Sequence, residues 1–106
     1  MTSSRLEAFR AMVAKAPNNP LARFGLANEA FKEKLFEEAR ENYEVYLAAS
    51  DDEGNAYGKL AESLHSLGRI DEARAAFRRG IEAAKRFGHA GMVNDLEAKL
   101  EELDTE

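Results

Sequence analysis

The 106-residue sequence contains no cysteine and no tryptophan, and only two prolines. Without cysteine there is no disulfide framework, no thiol nucleophile and no thiolate metal ligand. That absence fits a reducing compartment, and the cytoplasm is the expected location. No apolar run approaches the roughly 20 residues that a membrane-spanning helix needs. The start, Met-Thr-Ser-Ser-Arg-Leu-Glu, lacks the apolar core of a secretion signal. No membrane role is expected. Positive charge is not in excess either. The net charge is −5, so no global field gathers a nucleic-acid backbone, and no nucleic-acid partner is expected. The first fifty residues balance their charges, whereas six acids from Asp95 to Glu106 face Lys99 alone, as a solvating end does.

Constellations for chemistry are missing as well. His65 and His89 are the only histidines, at no ligand spacing. Asp51, Asp52 and Glu53 form a carboxylate run, but at a helix start, where acids stabilise the positive end of the dipole. The glycines are scattered helix stops and make no phosphate-binding loop. No serine has a plausible histidine and acid to activate it. No catalytic residue, metal or cofactor is expected, and the chain does not read as an enzyme. Arg74, Arg78, Arg79, Lys85 and Arg86 make one segment basic; the i,i+4 spacing of Arg78 with Glu82, and of Glu82 with Arg86, predicts ion pairs that absorb this charge.

What is present is helix. Hydrophobic residues make up 44% and charged residues 33%, a globular balance, with abundant Ala, Glu, Leu, Arg and Lys. The 3.6-residue period predicts helices over about 5–16, 20–34, 36–50, 51–67, 71–87 and 89–103. Ser4 with Glu7 reads as a capping box for the first. Asn19 is a good N-cap before Pro20 at the first helical position. Asp51 and Asp52 offer a cap for the fourth helix, and Gly68 and Gly88 end the fourth and fifth. Leu6, Phe9, Val13 and Ala16 share one face of the first helix, with Met12 at its edge. Met92, Val93, Leu96, Leu100 and Leu103 form a stripe on the last.

Sliding the sequence on itself by 34 residues aligns Leu26 with Leu60, Ala27 with Ala61 and Phe36 with Ile70. The same shift aligns Glu38 with Glu72, Ala39 with Ala73, Tyr43 with Phe77 and Leu47 with Ile81. Each pair matches in size class. The implication is one helical hairpin used twice, with alanines letting paired helices approach and aromatics filling the gaps.

A helix–turn–helix period of 34 resembles that of the tetratricopeptide repeat. The second unit carries its pattern in Tyr57, Leu60, Ala61 and Leu64, then Ala73 and Phe77, with Tyr57 where the family prefers tryptophan. The first keeps Leu26, Ala27, Ala39 and Tyr43 but places Arg23 and Ala30 where large residues are usual. Phe9 and Pro17 keep the spacing of the family's late aromatic and terminal proline. Several positions depart from the pattern: Lys34 replaces the usual turn glycine, Asp51 and Lys85 replace the terminal proline, and Tyr46 and Gly80 take an alanine slot. The resemblance implies an all-α fold, an α-α superhelix of antiparallel helical hairpins with about six helices. It implies a single domain over 1–106: a half repeat at 5–19, repeats at 20–53 and 54–87, a capping helix at 88–103 and an acidic tail at 104–106.

In the family so resembled, the first helix of each repeat lines the concave surface. Carried over by position, the partner-binding residues are Leu21, Phe24, Asn28, Phe31 and Lys32, then Asn55, Gly58, Glu62 and His65 with Ser66, and Met92 and Leu96 with His89 from the last helix. Phe24, Phe31 and Met92 either anchor a peptide or belong to the core. Asn28 matches one asparagine of the family's carboxylate clamp, but Phe24 and Lys59 occupy slots where the clamp needs lysine and asparagine, so no clamp is expected. The implied function is non-catalytic protein–protein interaction, with a peptide or helix bound in the concave groove. The alternative is self-association as a homodimer through that groove or the C-terminal helix.

Overall fold

The computed structural model describes residues 3–106; Met1 and Thr2, part of the start read above for a secretion signal, lie outside the described residues. Among the described residues there are six α-helices and no strand: α1 (Ser4–Lys15), α2 (Pro20–Lys32), α3 (Phe36–Ala49), α4 (Asn55–Ser66), α5 (Ile70–Arg86) and α6 (Ala90–Asp104). They fall into two compact units, Met1–Ser50 with α1 to α3 and Asp51–Glu106 with α4 to α6. In each unit, helices adjacent in sequence pack on one another.

Helix boundaries follow local chemistry. Asn19 Oδ1 accepts from the backbone N–H groups of Leu21 and Ala22 at 3.0 and 3.4 Å, as expected of a cap before Pro20. The α1 cap is displaced by one residue: Ser3, not Ser4, accepts from Leu6 N–H at 3.0 Å. Glu7, the expected partner in a capping box, reaches Arg10 at 2.8 Å. At α4 the N-cap residue is Gly54, and the capping oxygen comes from Asp52, whose buried carboxylate accepts from Gly54 and Ala56 N–H, both at 2.9 Å. It reaches over Gly54, so α4 starts at Asn55, later than the acid run suggests.

Three helices end in the same way. After α2, Leu35 N–H bonds to Ala30 O and Lys34 N–H to Phe31 O. Arg69 and Gly68 repeat this onto Leu64 and His65, and His89 and Gly88 onto Ala84 and Lys85. The pattern requires a left-handed residue, and φ is +60° at Lys34, +78° at Gly68 and +74° at Gly88. Lys34 and Gly68 are 34 positions apart, so the lysine holds a glycine's conformation.

The aligned pairs have matching environments. Leu26 and Leu60, Ala27 and Ala61, Ala39 and Ala73, Tyr43 and Phe77, and Leu47 and Ile81 are all buried, and Phe36 and Ile70 are half-buried. Tyr43 is wholly enclosed and donates its hydroxyl to Asn28 Oδ1. Burying a ring of that size contributes about 2–3 kcal/mol, and the hydroxyl is satisfied rather than stranded. In the slots where large residues were expected, Arg23 instead bonds Asn42 Oδ1 at 2.9 Å and Pro17 O at 2.8 Å, and Ala30 is fully buried.

Candidate partner-binding cleft

Within the first unit, α1 is tied to the hairpin by charge. Arg5 reaches the buried carboxylate of Glu29 at 2.8 Å, and Arg10 forks onto Glu38 at 2.8 and 2.7 Å. Hydrogen bonding from Arg5 holds the Glu29 carboxyl below the usual range, and Arg10 does the same for Glu38. Both act against a desolvation that alone would raise them.

The α2 positions expected to meet a partner have differing surroundings. Phe24 packs on Tyr46 at 4.7 Å between ring centroids and edge-on to Tyr43 at 6.4 Å. Phe31 lies edge-on to Phe36 and Tyr43 at 6.0 and 6.5 Å. These two rings are the aromatic packing of the α2–α3 hairpin, and both are only half-exposed. Asn28 is committed to Tyr43. Lys32 is exposed beside Glu29, and Leu21 is 77% exposed.

The second unit contains a cleft. It has a volume of about 690 Å³ and runs between α4 and α6. Asn55, Gly58, Lys59 and Glu62 form one side; Met92, Asp95, Leu96 and Lys99 form the other, and Gly88 to Gly91 close one end. Asn55, Gly58, Glu62, Met92 and Leu96 of the expected set, with His89, come together here. His65 does not. It lies in a smaller depression with Phe77 and Leu103, its Nε2 2.9 Å from the Glu106 carboxylate. Ser66 is exposed and outside the cleft lining.

Two of the converging residues act as floor rather than as reaching groups. A Cβ at Gly58 would stand 2.9 Å from Leu96 Cδ2, and one at Gly80 would stand 2.9 Å from Tyr57 Cβ and 3.2 Å from Leu96 Cδ1. Leu96 is therefore a buried knob in a hole left by two glycines, and only its edge meets the cleft. That hole explains Gly80 in an alanine slot. Lys59, Asp95, Lys99 and Gly91 were not among the partner-binding positions expected from sequence. Each lies next to a chosen position or one helical turn from it, which is the signal that could have found them. Lys99 Nζ approaches Glu62 Oε1 at 3.5 Å and links the two walls, while His89 Nε2 lies 3.2 Å from Glu53. Arg74 holds the far end of α6 through Asp104 at 2.6 Å.

The expected pairing along α5 is absent among the described residues: no ion pair joins Arg78, Glu82 and Arg86. Arg86 reaches Asp51 at 3.0 Å instead, and Arg79 lies 5.1 Å above the Tyr57 ring. No group of histidines and carboxylates among the described residues is placed to hold a metal ion, and no helix there is long and apolar enough to cross a membrane.

The family model of the tetratricopeptide repeat matches residues 30–100. The chain belongs to the tetratricopeptide-repeat family. Tetratricopeptide repeats are in general protein–protein interaction modules rather than catalysts, in keeping with an all-α chain of antiparallel hairpins. The solution structure of protein BPP2914 from Bordetella parapertussis is 27% identical to this repeat protein, with a TM-score of 0.80 over 99% of this chain and 90% of that one. MamA of MSR-1 is 20% identical with a TM-score of 0.68, covering 94% of this chain and 66% of its own. MamA of AMB-1 is 21% identical at 0.65, covering 94% and 62%. At such identities the MamA likeness shows the fold alone. No curated protein gives a significant match.

Proposed function

We propose that this protein is a non-catalytic adaptor that takes a peptide or helix of a partner protein into the cleft between α4 and α6. In this reading α1 is a half repeat, 20–53 and 54–87 are full repeats, and α6 is a cap whose inner side doubles as a cleft wall. The cytoplasm is the compartment that goes with it. The observation that carries the proposal is the convergence of Asn55, Gly58, Glu62, Met92 and Leu96, chosen by position, on one cleft of about 690 Å³. Its size and its mixture of apolar floor and polar rim suit a short segment with one apolar anchor. Asn55, Glu62, Asp95 and the exposed part of Met92 are the groups such a segment would meet.

The test is a peptide-display selection on the wild-type protein, followed by backbone amide NMR titration with the selected peptide. Shifts should concentrate on the cleft lining. An Asn55→Ala/Glu62→Ala/Asp95→Ala variant, shown to be folded by its thermal transition, should weaken binding at least tenfold. Shifts confined to α2 and α3, or full affinity in that variant, would overturn the proposal.

A further inference from the structure

The exposed face of α5 carries positive charge that the fold does not use. Arg78 and Lys85 are seven residues apart, two turns along one side of the helix and about 10.5 Å in rise. Both are exposed, and among the described residues neither side chain has a hydrogen-bond or ion-pair partner, although Glu82 stands at the favoured spacing from Arg78. Arg79 and Arg86 flank them, held by Tyr57 and by Asp51. The first hairpin serves as an internal control. Thirty-four positions earlier, α3 has Glu44 in the place of Arg78 and Val45 in the place of Arg79. The hairpin therefore forms with either charge, and the cations of α5 need another explanation.

The chain also carries the complement. On α6, Glu97 and Glu101 are one turn apart and exposed, and among the described residues their side chains have no partner. Neither lines the cleft, and neither do Arg78 and Lys85. We propose that the basic face of α5 in one copy docks the acidic face of α6 in a second copy, so that this protein self-associates head to tail at a surface separate from the cleft. Two different surfaces meet, so the contact is heterologous, and a pair of copies keeps one free basic face on one copy and one free acidic face on the other. The contact is made of exposed ion pairs with little apolar area, so it belongs to the weak, transient class.

Charge also sets an unusual salt dependence. Each copy carries −5, so copies repel at long range while the α5–α6 pairs attract at contact. The screening length is about 30 Å at 0.01 M salt, about 10 Å at 0.1 M and about 3 Å at 1 M. Near 0.1 M the mutual repulsion is damped while contact pairs survive, and at 1 M the pairs are screened too. Association is strongest at intermediate salt. Pairing through the apolar parts of the cleft would not weaken at high salt.

The experiment is sedimentation velocity on the full chain at about 0.5 mM across that salt range, a concentration suited to weak complexes. The weight-average mass should peak near 0.1 M. Arg78→Gln/Lys85→Gln and Glu97→Gln/Glu101→Gln should each raise the dissociation constant roughly tenfold. An equimolar mixture of the two should recover association but stop at a one-to-one pair, because the first variant keeps only the acidic face and the second only the basic one. A monomer at every salt concentration, association unchanged in either variant, or failure of the mixture to pair would overturn the proposal. Met92→Ser, which alters the cleft lining without changing the net charge, should leave the mass unchanged, so the two surfaces can fail separately.

Discussion

Replacing Lys34 by glycine should make the protein more stable, although it removes a side chain. Lys34 sits at φ +60°, where a Cβ crowds the following carbonyl, and for a residue other than glycine that conformation costs about 1–2 kcal/mol. Glycine removes this strain but gives back about 0.5–1 kcal/mol, because its unfolded chain has more freedom to lose. Among the described residues the exposed lysine side chain has no ion-pair partner to set against the gain, and its backbone bond to Phe31 O at 3.0 Å is retained. The net expectation is about 0.5–1 kcal/mol of stabilisation. With an unfolding entropy of about 2.1 cal/mol/K per residue, that raises the melting temperature by roughly 2–5 °C. Thermal and urea unfolding followed by circular dichroism would measure it, with Gly68→Ala as the mirror experiment. Gly68 has φ +78°, and no atom lies within 4 Å of where a Cβ would stand, so alanine there should cost about 1 kcal/mol by conformation alone. A Lys34→Gly variant no more stable than wild type, or a harmless Gly68→Ala, would refute the reasoning.

Other outcomes follow from the same geometry. Gly25→Ala should destabilise by about 1–3 kcal/mol despite better helix propensity, because the new Cβ would overlap the Phe9 ring; chemical denaturation of Gly25→Ala with and without Phe9→Ala should show the second change relieving part of the first. Tyr43→Phe should cost about 1–2 kcal/mol in the same assay by leaving Asn28 without its hydroxyl donor. The depressed carboxyls of Glu29 and Glu38 contribute stability that is fully present above the unfolded carboxylate range and is lost as pH falls through their lower folded values. Urea midpoints taken from neutral to acid pH should therefore fall, and Glu38→Gln should flatten the fall by removing one of the two groups.

Much of the fold could be read before any coordinates because its determinants are local. Asn19 before Pro20, and Gly68 and Gly88 after their helices, each satisfy backbone groups within one turn, and the 34-residue shift paired positions that share their burial. The misreadings lie where a near neighbour or a distant group competes. Ser3 and Ser4 are chemically equal candidates, and what distinguishes Ser3 is Glu33, thirty residues away, whose carboxylate accepts from the Ser3 hydroxyl at 3.0 Å. Arg86 has a helical partner at ideal spacing and takes Asp51, 35 residues away. The cleft was half readable for a similar reason. Helical position identified Asn55, Glu62 and Met92, but that Leu96 would sink between Gly58 and Gly80 depends on two glycines meeting one leucine across three helices. No periodicity encodes that.

The knob-in-hole seating of Leu96 bears on how the cleft behaves in time. Only Leu96 and Leu103 of α6 are buried, so besides the exposed ion pairs of Lys99 and Asp104 its apolar anchoring is confined to two points, not spread along its length. Elements with few buried contacts open at lower free energy than the body they rest on. Amide exchange in α6 should therefore outrun that in α5. On the proposed function, the cleft wall formed by α6 is then the one that adjusts, and ligands of differing girth would meet a jaw with one fixed side and one that yields.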